Sequence, residues 1–446
     1  MTPAEALAAL RAAEARDSAP NLKQRRLLLA GLARAVMARS HEIMAVLDAE
    51  YEGRAPIETL LADVLLVADA ARYARRNLWQ WMRARRVTVP YPFWPARARE
   101  EFVPKGVVGI MAPWNYPVQL ALLPAIDAIA AGNRVCVKPS EALPRTAALI
   151  ADILRDAWGD DIALCVQGGA EVGADFAAQP WDHLVFTGST ATGRKIMAAA
   201  APNLTPLTLE LGGKCPVLVL PGADLKRAAR DILAGKAFNA GQTCVAPDTV
   251  LLVGHSRAAF IEACRASGIG LPETGVINAA HYARLQNLAA GAQLTPLAED
   301  GPGRRMALRL AEAPPEAPIC HEEIFGPILL LREDSSLQSA LAWVAARPAP
   351  LAIYLFGANS TEQALIAAAA RGSAIIAGRT VEFAGFQALG FGGSGESGFG
   401  RRNGLAGFLE FSHRRARVWH GGFSLSRLFD LPRGKAVERL KNLLAK

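Results

Sequence analysis

The chain is poorly equipped for metal or disulfide chemistry. Its 6 cysteines stand apart at positions 136, 165, 215, 244, 264 and 320, with no C-x-x-C pair and no metal-ligand spacing. Its 7 histidines are scattered and form no H-E-x-x-H motif. Neither a metal centre nor a disulfide framework is expected, and unpaired thiols suit a reducing cytoplasm. Long apolar runs are missing too. The longest, around 120–131, contains Pro124 and Asp127 and is shorter than the ~20 residues a bilayer-spanning helix needs. The opening residues, Met1-Thr-Pro-Ala-Glu-Ala6, lack a basic stretch followed by an apolar one, so no secretory signal is expected and the cytoplasm is the expected location. No repeat of fixed period is present. The net charge of +8 hints at an anionic cofactor or an acidic partner. The arginines lack interleaved aromatics, however, and read as solvated helix faces, which argues against nucleic acid.

With 446 residues, 51% apolar and 20% charged, the chain has a soluble, folded composition and room for two or more domains. Residues 4–82 read as Ala/Leu/Arg-rich helices with a break near Ser18-Ala-Pro-Asn21. Val87, Val89 and several prolines mark 86–104 as edge strands or a projecting hairpin. From 105 to 211 strand-like and helical patterns alternate, which predicts βαβ units and a parallel, nucleotide-binding sheet. A second α/β pattern begins at 212, with a Pro/Gly-rich connection at 296–318. The glycine-dense run 390–400 reads as a flexible loop before a basic tail. Its two formal G-x-G-x-x-G matches neither follow a clear strand nor open a helix, so both are set aside.

Glu210 and Cys244 carry the most information. Leu207, Leu209 and Leu211 occupy one face of an extended segment and turn Glu210 to the other. A carboxylate beside an apolar strand is costly unless it is partnered or used. Cys244 lies in a loop pinned by Gly241 and Pro247. A buried, inert thiol is the ordinary reading of a cysteine; the loop setting tips Cys244 towards a nucleophile. Pro113-Trp-Asn-Tyr-Pro117 closes the first strand of the predicted sheet, where Asn115 could hold an oxyanion or form an Asx turn. Gly188-Ser189 offers either a phosphate seat or a plain helix cap. Lys138 and Glu141 could grip a ribose or form a surface loop. Glu323-Ile-Phe-Gly-Pro327, read alone, is a turn.

In order, Pro113-Trp-Asn, Lys138-Pro-Ser-Glu, Phe186-Thr-Gly-Ser, Leu209-Glu-Leu-Gly-Gly, Gly241-Gln-Thr-Cys and Glu323-Ile-Phe-Gly-Pro resemble the aldehyde dehydrogenase superfamily. Asn239-Ala-Gly-Gln-Thr-Cys-Val-Ala-Pro-Asp248 is most similar to the class 3 and coniferyl aldehyde dehydrogenase branch. The resemblance runs from about residue 20 to 415. It implies an α/β fold with a Rossmann-type NAD(P)-binding domain over 1–211, in which 86–104 forms a bridging hairpin. A catalytic domain over 212–399 follows, then a bridging strand and tail over 400–446.

The resemblance also implies a chemistry: oxidation of an aromatic or hydrophobic aldehyde to its carboxylate by NAD or NADP. Cys244 would be the nucleophile, Asn115 the oxyanion donor and Glu210 the base that activates water. Trp114, Lys138, Glu141, Gly188, Ser189, Glu323 and Phe325 would hold the cofactor, with no metal. The bridging strands imply a homodimer. Two alternatives are a CoA-acylating enzyme, which needs no water-activating base, and a non-catalytic dinucleotide-binding protein. The tail carries Leu425, Leu428, Leu431, Leu440, Leu443 and Leu444 among basic residues. It reads as a packed terminal helix in preference to a subunit contact or a membrane-surface helix.

Overall fold

The alternating pattern over 105–211 becomes the centre of a 6-stranded sheet. Its order is Gly398–Phe399, Leu207–Leu211, His183–Gly188, Val107–Met111, Arg134–Lys138, Ala163–Cys165. The strands run parallel except the first, which is antiparallel to Leu207–Leu211. The structure is a computed structural model that describes residues 1–422 and 434–445. Period-two alternation splits the central strand between two cores. Val108 and Ile110 face one, together with the helix Pro117–Ala131, every residue of which is buried. Val107 and Met111 face the other, with Phe176, Trp181 and Leu209. Fully burying one leucine or isoleucine contributes about 1.5–3 kcal/mol, so the helix holds the sheet firmly.

The N-terminal helices pack on that first core. Thr2 caps Pro3–Arg16 in a capping box with Glu5, and Asn21 caps Leu22–Ala38 in another with Gln24. The first helix ends at its C-cap Asp17 and the second starts at its N-cap Asn21, which accounts for the break near residues 18–21.

A second, 7-stranded sheet has the order Gln293–Pro296, Arg309–Glu312, Ile328–Asp334, Thr249–Val253, Pro216–Val219, Ile353–Phe356, Ile375–Ala377. It is parallel apart from its Gln293–Pro296 edge. Arg309–Glu312 lies inside the stretch expected to be connection: the tertiary pairing with Ile328–Asp334 makes a strand of four residues too short to announce itself. A small antiparallel sheet joins Arg85–Val87, Arg97–Pro104 and Ser412–Trp419.

The glycine-dense run is not a free loop. Gly398 pairs with Glu210 and Phe399 with Leu209. At Gly398, with φ +116°, a Cβ would collide with the Leu209 carbonyl, so glycine is what allows the pairing. Of the tail, Leu425, Leu428 and Leu431 lie outside the described residues; Lys435–Leu444 is helical, with Val437 buried.

Candidate active site

The loop that carries Cys244 is held on both sides. Helix Leu225–Ala237 stops at Phe238, after which Asn239, Ala240 and Gly241 take left-handed φ values of 50°, 52° and 69°. A Cβ on Gly241 would meet the Gly326 carbonyl, so this turn demands glycine. The Gln242 side chain donates to Asn239 O and Gly275 O, each at 3.0 Å, and accepts from Ile277 N at 2.9 Å. Beyond the cysteine, Tyr354 Oη donates to Val245 O at 2.6 Å. Cys244 is therefore mounted rigidly, half-buried, with its thiol pushed up to about 12 by burial.

Behind the loop lies a dense polar cluster. Arg54 and Asp63 pair at 2.8 Å with both side chains fully buried. Asp63 Oδ1 accepts from Val118 N and Gln119 N at 3.1 and 3.0 Å. Glu58 Oε2 accepts from Asn239 N at 3.1 Å and Thr274 Oγ1 at 2.5 Å. Arg54 Nη1 and Asn239 Nδ2 donate to Asn115 O at 2.8 and 3.0 Å. Asn115 Nδ2 in turn donates to Gln242 O at 3.1 Å. One proton of that amide is thus tied to the cysteine loop, and the other is left for a ligand.

Glu210 sits opposite, 3% exposed, with both carboxylate oxygens buried and without a hydrogen-bond partner among the described residues. Burial pushes it up to about 8, against the opposing charges of Arg402 and Arg401. Such a group is poised to exchange a proton near neutral pH.

The remaining predicted residues divide. Trp114, Asn115, Gly188, Ser189, Glu210, Cys244, Glu323 and Phe325 all line one cavity of about 520 Å³. Ser189 caps helix Thr190–Ala200, accepting from Thr192 N at 3.2 Å, and the helix N-terminus faces the cavity beside Arg194. Glu323 accepts from Gly213 N at 3.1 Å; burial raises its carboxyl to about 7. Phe325 packs edge-on against Trp114 at 5.5 Å. Lys138 and Glu141 do not line this cavity. They pair with each other at 3.2 Å at the end of the neighbouring strand. Burial works against the Glu141 charge, but its own backbone N–H and Lys138 outweigh that and hold it below the usual range.

A second cavity of about 260 Å³ opens on the other side of the thiol, lined by Leu61, Leu66, Tyr116, Phe238 and Val381 among others. Cys244, Leu120, Phe391 and Arg402 line both spaces. The arrangement is a thiol at the junction of a polar cleft and an apolar pocket. Sequence reasoning missed His281 and Arg284, which support Trp114 and the Phe325 carbonyl, and it missed Arg402. No local pattern marks them; only packing brings them to the cleft.

Two mainly parallel α/β sheets, with a cysteine and a buried carboxyl lining one cavity, point to an oxidoreductase. The family model for the aldehyde dehydrogenase family matches residues 1–416. Coniferyl aldehyde dehydrogenase of Pseudomonas sp. (strain HR199) is 37% identical over 432 residues, covering 92% of this chain and 89% of that protein. The substrate-bound structure of Staphylococcus aureus AldH superposes with a TM-score of 0.91 at 28% identity, covering 99% of this chain and 98% of that one. PnpE in complex with nicotinamide adenine dinucleotide superposes at 0.86 and 25% identity, over 94% and 90% of the two chains. The chain belongs to the aldehyde dehydrogenase family and carries out NAD(P)-dependent aldehyde oxidation. Among the described residues no helix is long and apolar enough to cross a membrane, and no cluster of ligating side chains could hold a metal ion.

Proposed function

We propose that the chain oxidises an aromatic or hydrophobic aldehyde to the free carboxylate, with Cys244 as nucleophile and Glu210 as the base for hydrolysis. The observation that carries this reading is the two-sided setting of Cys244, with an apolar pocket on one side and the cleft containing Glu210 on the other. The aldehyde's body would lie against Leu61, Leu66 and Phe238, and its carbonyl would meet the thiol. The Cys244 thiolate attacks the carbonyl carbon, while Asn115 Nδ2 and the Cys244 N–H receive the oxyanion.

The nicotinamide cofactor, when bound, accepts the hydride. The residues fit such a group: the N-terminus at Gly188-Ser189 suits a pyrophosphate, and Trp114, Phe325 and Glu323 suit the nicotinamide ribose end. Lys138 and Glu141 would hold the adenosine ribose, where the Glu141 carboxylate disfavours a 2′-phosphate and favours NAD over NADP. After hydride loss the acyl group is a thioester on Cys244. Glu210 then takes a proton from water, the resulting hydroxide adds to the thioester carbon, and the thiolate leaves. A CoA-acylating enzyme would have no use for a buried, unpartnered carboxyl beside the thiol.

The exposed edge Arg85–Val87 would be covered in a homodimer, and the free thiols suit the cytoplasm. A membrane contact by the tail is not favoured. The deciding experiment is a steady-state screen of aromatic and aliphatic aldehydes with NAD and NADP, scoring NADH or NADPH and carboxylate. Absence of turnover with every aldehyde would overturn the reading. So would an absolute requirement for CoA.

A further inference from the structure

Among the described residues that line the apolar pocket beside Cys244, Arg402 is the only cation. It is 4% exposed, and its Nε and Nη1 are buried without a hydrogen-bond partner among the described residues. No ion pair among the described residues holds it. Its guanidinium lies 4.4 Å from the centre of the Phe391 ring, and its backbone exchanges hydrogen bonds with Phe391 at 2.9 and 2.8 Å. The next residue is tied as well: Asn403 N donates to Asp127 Oδ2 at 2.8 Å. Arg401 differs, because its side chain is committed to the Gly392 carbonyl. A buried guanidinium that is rigidly aimed yet unpaired is costly, and this one lies where both cavities meet.

We propose that Arg402 is a positioning residue that governs charge in the reacting pair, favouring first the Cys244 thiolate and then the Glu210 carboxylate. The inference rests on the roles given above to those two residues. The two anions need not coexist. Before attack the thiol proton passes to solvent and the sulfur is charged. In the thioester the sulfur is neutral, so the same cation faces Glu210. When hydroxide adds and the carbon–sulfur bond breaks, the electron pair returns to sulfur and the guanidinium again faces a thiolate.

The other charges near the pair work in both directions. Glu210 and Glu323 oppose ionisation of Cys244; Arg401 assists and Glu410 opposes ionisation of Glu210. Asp127, raised by burial to about 7, also lies within the field of Arg402. On both Cys244 and Glu210, Arg402 is the strongest charge acting against the effect of burial.

The test is the pH dependence of Cys244 alkylation by iodoacetamide in the full-length protein, followed on the Cys244 peptide by mass spectrometry. R402Q is expected to raise the alkylation midpoint by about one pH unit or more, a tenfold slower reaction per unit below it. R402K, which keeps the charge, is expected to stay close to the wild type. The rising limb of kcat against pH should shift upward in R402Q and not in R402K. An unchanged midpoint in folded R402Q overturns the proposal. So does a full-unit rise in R402K, which remains decisive should R402Q fail to fold. If R402Q instead raises KM only for carboxylate-bearing aldehydes and leaves alkylation alone, the arginine anchors substrate and the proposal fails. Full turnover by C244S would sink the roles of the pair while leaving the alkylation result readable, so the two failures are distinguishable.

Discussion

Two buried polar groups of residues flank Asn115, and they are built on opposite terms. On one side Arg54, Asp63 and Glu58 are almost fully paired, with only Arg54 Nε unsatisfied in the ion pair itself. On the other, both oxygens of Glu210 and two nitrogens of Arg402 are buried with no hydrogen-bond partner among the described residues. The first group spends its hydrogen bonds on holding the backbone around Asn115 and Asn239. The second keeps its donors and acceptors free for something that arrives. Unpaired buried groups destabilise a fold, which fits the reactive roles proposed for this pair, whereas the paired cluster serves as scaffold.

That contrast can be broken by experiment. The largest effect is expected for Cys244→Ser, which should lower kcat by about 10⁴-fold or more while cofactor binding, followed by fluorescence quenching, is retained. Turnover within tenfold of the wild type would remove the thiol from the chemistry. On the scaffold side, Arg54→Met strands Asp63 as a buried unpaired charge. It should cost about 3–5 kcal/mol of stability, read as the denaturation midpoint; a loss no larger than that of an exposed arginine would deny the cluster its structural role.

Glu210→Gln should instead cause no loss of stability and cut steady-state hydrolysis by about 10²–10³-fold, while one equivalent of reduced cofactor still appears in a rapid burst. In the wild type, hydrolysis should rise with pH to a plateau above 8, because Glu210 must lose its proton to act as base and its carboxyl is raised to about 8. The linkage has a definite sign. A folded-state value above the unfolded one stabilises at low pH and loses that contribution as pH climbs through 8. The glutamine variant, which cannot ionise, should therefore gain thermal stability relative to wild type as pH rises towards 9. An unchanged difference across that range would mean the carboxyl is not raised. The smallest effect concerns the cofactor: Glu141→Gln should improve use of NADP by several-fold, about 1 kcal/mol, with little change for NAD. An equal change for both would place Glu141 away from the ribose.

How much of the site could be read from the sequence follows from how each residue is held. Cys244, Glu210, Asn115 and Glu323 stand in short segments whose neighbours are constrained locally, by glycine turns, strand ends and proline, so the surrounding motif betrays them. Trp114 and Phe325 lie within the same motifs as Asn115 and Glu323. Arg402 has no such frame. It reaches the site because Gly398 and Phe399 pair with the Glu210 strand, nearly 190 residues earlier in the chain, while the Phe391–Arg402 bridge closes the intervening loop. The same distance in sequence made 390–400 look like an unstructured glycine run. Lys138 and Glu141 were legible as a pair, yet they sit outside the main cavity, because the neighbouring strand ends further along the sheet.

The sequence by itself determined the parallel α/β sheet, through alternation of apolar strands with helices, and it singled out the thiol and the carboxyl, because each breaks the pattern around it. Only the tertiary structure decided that the two would line one cleft together with an arginine that has no ion-pair partner among the described residues. Local pattern specifies which face a side chain takes; what stands opposite that face is set by long-range pairing and packing, which no window of sequence contains.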